Sequence, residues 1–237
     1  MTITYFGHSA IQIETGGTTL LFDPFIDGNK HAEGVVTVDD LKPDAILITH
    51  AHFDHWGDTP AIVENCAPQI VGQWEVCEYA KRELGHENVH PMNTGGAWDF
   101  DWGRLTQTYA RHSSSFADGT YGGLASGYLL HAEDLLIYNA GDTCVFPEME
   151  RMGRNHRIDL AFLPIGDDLT MGIDEAVEAA KLLRPKRVVP VHYGTFPLIE
   201  VDVDEWASEM DDAGIDTLVL QPGDTIEFTD EDGDDQE

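Results

Sequence analysis

The chain has 237 residues, of which 13 are basic and 44 are acidic, so its formal net charge at neutral pH is −31. Such a field repels nucleic-acid phosphates, and no segment reaches the roughly 18 apolar residues that a membrane-spanning helix needs. The chain is long enough to bury a core without disulfides, and its three widely spaced cysteines are typical of reduced thiols. We therefore expect a cytoplasmic protein that acts on a small molecule, with its oligomeric state left open.

The acidic residues are spread along the whole chain. One hypothesis is adaptation to a host with high internal salt, where screening at molar ionic strength shortens charge repulsion to about 3 Å. The alternative is a surface that binds cations or a basic partner. The even spread of the acids favours the first explanation.

Short strands dominate the first half of the chain. The Gly16-Gly17 turn separates two apolar runs, which predicts a hairpin ending at Asp23-Pro24, and the Gly-containing segment 26–43 is expected to be a surface loop. Apolar runs and helical spacing then predict further elements: a strand at 45–48, a helix at 58–65, a strand at 69–72, a helix at 75–84, strand-turn-strand units around 95–96 and 102–103, and a strand at 105–109.

Strands and helices alternate in the second half. The Ser- and Gly-rich segment 113–126 is expected to be a mobile loop near the site. The remaining elements are predicted as strands at 127–130, 135–138, 160–163, 188–191, 217–220 and 225–228, and helices at 173–183 and 204–213. The acidic tail 229–237 has no apolar residue and is predicted to be disordered, which leaves one domain spanning 1–228.

A metal-binding motif directly follows the apolar strand at 45–48. His50, His52, Asp54 and His55 supply three imidazoles and a carboxylate, which are the ligands that borderline divalent metals prefer. If the chain stays extended, residues two apart share a face, so His50 and His52 would point the same way. The segment is therefore predicted to be a metal site.

Three isolated residues compete for the remaining ligand positions. His112, Asp142 and His192 each follow a predicted strand. Each residue alone is weak evidence for a metal ligand, because a single histidine at a strand end is more often structural. Together they collect ligands from strand ends across the chain, which favours one domain with one site.

The order of these residues, with several further motifs, resembles a known family. The additional motifs are Tyr5-Phe6-Gly7-His8-Ser9-Ala10, Asp23-Pro24-Phe25, His90-Pro91-Met92-Asn93, Leu163-Pro164-Ile165-Gly166-Asp167, Thr170-Met171-Gly172 and His192-Tyr193-Gly194-Thr195-Phe196-Pro197. This pattern resembles the UPF0173 metal-dependent hydrolases of the metallo-β-lactamase superfamily, from residue 1 to about residue 228. The resemblance implies an α+β fold of the four-layer αβ/βα sandwich type, with metals at one edge of two mixed sheets.

The resemblance also implies a ligand set for two divalent metal ions, with zinc favoured and manganese the alternative. One metal would be held by His50, His52 and His112, and the second by Asp54, His55 and His192, with Asp142 bridging. Asp54 would orient the attacking water and take up a proton. Such a dinuclear hydrolase would activate water against a small ester, lactone, thioester or phosphodiester.

Residues near the motif have less defined roles. By resemblance, His8 supports the ligands or contacts substrate, and Tyr193 and Thr195 are candidate hydroxyl donors to a developing oxyanion. Cys144 stands where the family pattern has glycine; it is either a small buried residue beside the site or an extra thiolate ligand. Asp167 and Asp168 either support the ligands or cap a turn. Four other histidines are expected at the surface, namely His31, His86, His131 and His156.

Two alternatives to this function remain open. One is a non-hydrolytic di-iron redox protein, although redox members of this kind carry Glu where this chain has His52. The other is a small-molecule phosphodiesterase or a nuclease. A nuclease is disfavoured because the chain has neither a basic groove nor an inserted domain to clamp a strand.

Overall fold

The computed structural model describes residues 1–228, which form two mixed β-sheets flanked by helices. The first sheet has seven strands in the order β13-β1-β2-β3-β4-β5-β6. Their bounds are β1 Thr2–Gly7, β2 Ala10–Thr15, β3 Thr18–Phe22, β4 Ala45–Leu47, β5 Gln69–Gln73, β6 Val89–Met92 and β13 Thr225–Glu227. Strands β3 to β6 are parallel, and β13, β1, β2 and β3 pair antiparallel.

The second sheet has six strands in the order β12-β11-β10-β9-β8-β7. Their bounds are β7 Ala97–Phe100, β8 Gly103–Tyr109, β9 Ser126–Ala132, β10 Leu135–Asn139, β11 Leu160–Pro164 and β12 Arg187–Val191. Strands β10, β11 and β12 are parallel, whereas β7 to β10 form an antiparallel meander.

Six α-helices are distributed along residues 1–228. They are α1 Phe53–Trp56, α2 Thr59–Cys66, α3 Trp74–Leu84, α4 Glu148–Asn155, α5 Ile173–Leu183 and α6 Val203–Asp212. Ile62 of α2 and Val76 of α3 join one buried cluster with Ile46 of the first sheet. Ala176 of α5 and Trp206 of α6 join another with the second sheet. Helices thus cover the outer face of each sheet.

A third buried cluster lies between the two sheets. It joins side chains such as Ile13 and Phe22 of the first sheet to Tyr128 and Phe162 of the second. Alternate residues of a strand point to opposite faces, so each sheet feeds both this central core and a helix-covered outer core. The four layers confirm the predicted αβ/βα sandwich.

The strands that precede the predicted ligands run in the same direction. In the second sheet, β8 and β10 are both antiparallel to β9, and β12 is parallel to β10 through β11. In the first sheet, β1 and β3 are both antiparallel to β2, and β4 is parallel to β3. Their carboxyl ends therefore meet at one edge of the sandwich, which is where open α/β sheets build their sites.

Several predicted elements are confirmed with boundary shifts of one residue or none, including the helices α2, α3, α5 and α6. The predicted strand at Thr217–Leu220 is wrong, because Thr217 makes only an isolated bridge to Val188. Helix α4 was not predicted, since only Met149 of its eight residues is buried. The expected loop 26–43 is present and contains a single 3-10 turn at Val38–Asp40.

The loop 113–126 is anchored by a buried aromatic side chain. The ring of Phe116 stacks on Tyr79 with centroids 3.5 Å apart and meets the Trp56 ring edge-on at 5.3 Å. Ser115 and Tyr121 form an isolated bridge across the loop. The expected mobile loop is therefore held against α1 and α3.

Two other expectations concern the acidic tail and membrane-spanning helices. The tail 229–237, predicted to be disordered, lies outside the described residues. Within residues 1–228, no helix has the length and apolar character needed to cross a membrane.

Candidate metal centre

The segment Thr49–His55 leaves the end of β4 and turns into the four-residue helix α1. His50 is fully buried, His52 is half-buried at the N-terminus of α1, and Asp54 and His55 lie within the helix. The backbone remains extended up to His52 and then becomes helical. Because the backbone changes direction here, the four ligand candidates point into one small space from two directions.

Three histidines form the first group of donor atoms. His50 Nε2 lies 2.9 Å from His52 Nδ1, and His112 Nε2 lies 3.3 Å from the same His52 atom. Two imidazoles that bind one zinc ion at about 2.0–2.1 Å in a tetrahedral arrangement have their nitrogens roughly 3.4 Å apart. These spacings suit three ligands of a single cation.

The second group contains Asp54, His55, His192 and His8. All of its donor atoms lie within 4.8 Å of one another, and all four residues are buried. Asp54 Oδ2 is 3.5 Å from His192 Nε2 and 3.2 Å from His8 Nε2. A carboxylate with two or more imidazoles is again a suitable donor set for a borderline divalent cation.

Asp142 lies between the two groups. Its Oδ2 atom is 3.8 Å from His50 Nε2 and 3.6 Å from His112 Nε2, both in the first group. The same oxygen is 3.3 Å from His55 Nε2 and 3.1 Å from His192 Nε2, both in the second. One carboxylate oxygen thus faces imidazole nitrogens of both groups.

Several buried polar atoms of the cluster lack a hydrogen-bond partner among residues 1–228. These atoms are His55 Nε2, His192 Nε2 and Asp142 Oδ1. Burying polar groups without partners costs free energy, so native interiors seldom keep several together. Their convergence on one space, with donors of the right chemical type, fits residues arranged to hold metal ions.

Asp23 was not predicted to belong to the site, yet it holds the cluster from behind. It is fully buried, and its Oδ2 atom is 2.9 Å from His55 Nδ1. Thr49 donates to it twice, from its backbone N–H at 2.9 Å and from its hydroxyl at 2.7 Å. A carboxylate that accepts the Nδ1 proton of a histidine leaves the Nε2 lone pair free for a metal.

His8 makes a hydrogen bond with each ring nitrogen. Nδ1 is 3.0 Å from the Thr195 hydroxyl, and Nε2 is 3.2 Å from Asp54 Oδ2. His8 is fully buried, so the geometry favours support of Asp54 over contact with substrate. Tyr193 is half-buried against the core of the second sheet, and within residues 1–228 its hydroxyl has no hydrogen bond to the cluster.

Three residues of the site adopt left-handed backbone conformations directly after a strand. The φ angles of His8, Asp23 and His192 are 57°, 42° and 55°. His192 also donates its backbone N–H to the carbonyl of His8 at 2.9 Å. Positive φ is uncommon outside glycine and costs of order 1–3 kcal/mol, so its concentration here marks strain at a functional site.

Burial lowers the pKa of the histidines in the cluster, whereas nearby carboxylates raise it. Burial lowers the pKa of His50, His52 and His112, which favours the neutral imidazole that binds metals. Burial opposes charge on His192 as well, but the Asp142 carboxylate prevails and raises the pKa of His192 to about 9. Asp142 likewise overcomes burial to raise the pKa of His55. The buried Asp142 carboxylate thus favours the positively charged form of His55 and His192.

Three other residues with undefined roles fall outside the cluster. Cys144 is half-buried and belongs to neither group of donor atoms within the described chain. Asp167 and Asp168 are exposed in a 3-10 turn. His86 was wrongly expected at the surface, because it is buried with Nε2 2.7 Å from the Pro68 carbonyl oxygen.

Comparison with known proteins agrees with this fold. Residues 18–193 match the β-lactamase superfamily domain. A UPF0173 metal-dependent hydrolase of Salinibacter ruber (strain DSM 13855 / M31) is 45% identical over 225 residues, covering 95% of this chain and 99% of that protein. A second, from Shouchella clausii (strain KSM-K16), is 44% identical over 233 residues, covering 96% of this chain and 100% of that protein.

A solved structure gives the same result. The structure of Igni18, described as a novel metallo hydrolase from the hyperthermophilic archaeon Ignicoccus hospitalis KIN4/I, matches with a TM-score of 0.85 and 35% identity, covering 96% of this chain and 99% of that one. Fold and site together define a protein of the metallo-β-lactamase superfamily. Within that superfamily, the chain belongs to the UPF0173 metal-dependent hydrolase family.

Proposed function

We propose that the chain binds two divalent metal ions and hydrolyses a small ester, lactone, thioester or phosphodiester. The observation that carries this proposal is the position of Asp142, whose Oδ2 atom lies 3.1–3.8 Å from four imidazole nitrogens of two donor groups. A single ion would not need a carboxylate facing both groups. Zinc is favoured because imidazole and carboxylate suit it, and manganese is the alternative.

In this proposal one ion would be held by His50, His52 and His112 and the other by Asp54, His55 and His192, and Asp142 would contribute its carboxylate to both. When bound, the two ions lower the pKa of a water molecule and polarise the scissile carbonyl or phosphoryl oxygen. Asp54 orients that water and accepts its proton, while His8 fixes the Asp54 carboxylate. His50, His55 and Asp142 are buried, so bulk water competes little for their donor atoms.

The experiment is a metal-dependent activity panel. Protein stripped with a chelator is assayed in molar KCl on lactones, thioesters, carboxylic esters and bis-aryl phosphodiesters, before and after zinc or manganese is restored. We expect activity on at least one class that returns with metal. His112→Ala should lose both metal and activity, whereas His131→Ala, an exposed histidine on β9, should retain them.

The competing redox function has a distinct signature. Purified protein that holds near-stoichiometric iron with a visible chromophore and hydrolyses nothing in the panel would contradict the proposal. Zinc-dependent turnover would instead exclude the redox function.

A further inference from the structure

Three phenylalanine rings form a compact apolar surface beside the metal centre. The centroids of Phe25 and Phe53 are 6.0 Å apart, and each lies 5.9 Å from the centroid of Phe196. These distances fall within the range of mutually packed aromatic rings. We call these three residues the phenylalanine wall.

The phenylalanine wall contacts His8, which is hydrogen-bonded to the proposed ligand Asp54. Phe25 and Phe196 pack edge-on against the imidazole of His8, with centroids 5.5 and 5.6 Å away. His8 in turn holds Asp54. Phe53 stands between the two ligand candidates His52 and Asp54 in sequence. The wall therefore borders the space where substrate meets the proposed ions.

Phe53 is the exposed member of the wall. It is 58% exposed, whereas Phe25 is buried and the other three residues of α1 all face inward. A large exposed apolar side chain gains nothing for folding, but a ligand that covers it removes that surface from water. Its place beside the metal centre points to contact with substrate.

The part of the site around the first donor group is polar. His52 and His112 are only partly buried, and the exposed Ser113 places its hydroxyl 3.2 Å from His52 Nε2. A substrate that reaches both this part and the phenylalanine wall meets hydroxyl and imidazole groups at one end and aromatic carbon at the other. Such a site orients a molecule that has one polar and one apolar end.

The charge of the substrate can be inferred as well. The uncharged rings of the wall offer no partner to a charged group. At low ionic strength, the net charge of −31 also disfavours the approach of anions such as phosphodiesters and free carboxylates. We infer that the substrate is an uncharged carboxylic ester, thioester or lactone whose aliphatic or aromatic group packs on the phenylalanine wall. This inference rests on the proposed hydrolytic function and adds the class of substrate and the residues that select it.

The test measures selectivity as a ratio within one series. Zinc-loaded wild-type protein is assayed with p-nitrophenyl acetate, butyrate and octanoate and with bis(p-nitrophenyl) phosphate. We expect kcat/KM to rise with acyl length and to be lowest for the phosphate. In Phe53→Ser the octanoate-to-acetate ratio should fall by about tenfold, while zinc content and melting temperature stay at wild-type values. Trp98→Ser, which alters an exposed aromatic residue on β7 (54% exposed), should keep the wild-type ratio.

Each contrary result has a definite meaning. A wild-type protein without acyl-length preference, or a Phe53→Ser variant with the wild-type ratio, overturns the inference. Hydrolysis of the phosphate but of no ester overturns the inference and leaves the proposed hydrolase intact. Failure of the metal-loaded protein on this series and on the lactones and thioesters of the activity panel rejects both.

Discussion

Asp23 Oδ2 lies 2.9 Å from His55 Nδ1 and receives the Thr49 hydroxyl at 2.7 Å, so one buried carboxylate supports the metal-binding segment from behind. The same Thr49 hydroxyl lies 3.1 Å from His50 Nδ1. Thr49 therefore connects the Asp23 carboxylate to a histidine of the other donor group. Carboxylates of this kind orient the imidazole and strengthen it as a ligand.

Asp23→Asn is expected to weaken metal binding by about 10–100-fold. Asparagine tolerates the left-handed backbone at this position, where φ is 42°, but it replaces the carboxylate that His55 faces. Affinity is measured by competition with a chromophoric chelator. Asp27→Asn, at an exposed acid of the neighbouring loop, is the matched control and should bind as the wild type does. Equal affinity in both variants would show that Asp23 only stabilises the fold.

His8→Asn is expected to lower kcat by about 10–100-fold and to retain the wild-type metal content. The substitution suits the left-handed backbone at φ 57° but removes the side chain that holds Asp54 at 3.2 Å. Thr195→Val, which removes the other hydrogen bond of the His8 ring, should lower kcat less. Loss of one ion in His8→Asn would instead make His8 a ligand.

Gly57→Ala is expected to destabilise the protein by about 3 kcal/mol. Gly57 ends α1 at φ 44°, and an added Cβ would collide with the backbone carbonyl of Pro24. Gly17→Ala provides the comparison, because Gly17 has a similar φ of 77° but open space around its Cβ position. Its cost should be about 1 kcal/mol. Urea unfolding measures both, and equal costs would show that the collision is relieved.

The folded state is expected to be stabilised by salt. At −31 the native chain repels itself, and raising ionic strength from 0.1 M to 1 M shortens the screening length from about 10 Å to about 3 Å. The melting temperature should rise by about 5 °C, which corresponds to roughly 2 kcal/mol for a chain of this size. KCl and NaCl should act alike, and sucrose of equal osmolality should act less. A protein equally stable in dilute buffer would contradict adaptation to high salt.

Much of the fold and of the donor set could be predicted because each has a local signal. Apolar runs that end in His50, Asp142 and His192 indicated strand ends, and parallel strands bring such ends to one edge of a sheet. The distances now show that these residues converge. Which ions they bind, and how many, stays a prediction.

The missed features have no such local signal. Asp23 precedes a proline after a strand, so it resembled a turn residue, and only the tertiary fold brings it to His55, 32 positions away. Helix α4 is polar apart from a few side chains, and α1 is four residues long, too short for a periodic pattern. The run at 217–220 has strand-like composition but pairs only at Thr217. The phenylalanine wall likewise joins three segments distant in sequence.

The number of bound ions tests the central claim most directly. Chelator-stripped protein is titrated with Mn²⁺ while electron paramagnetic resonance follows the free ion and the bound signal. We expect two equivalents to bind per chain and to show magnetic coupling, because Asp142 Oδ2 faces both donor groups. Saturation at one equivalent, or two ions without coupling, would contradict a dinuclear centre bridged by Asp142.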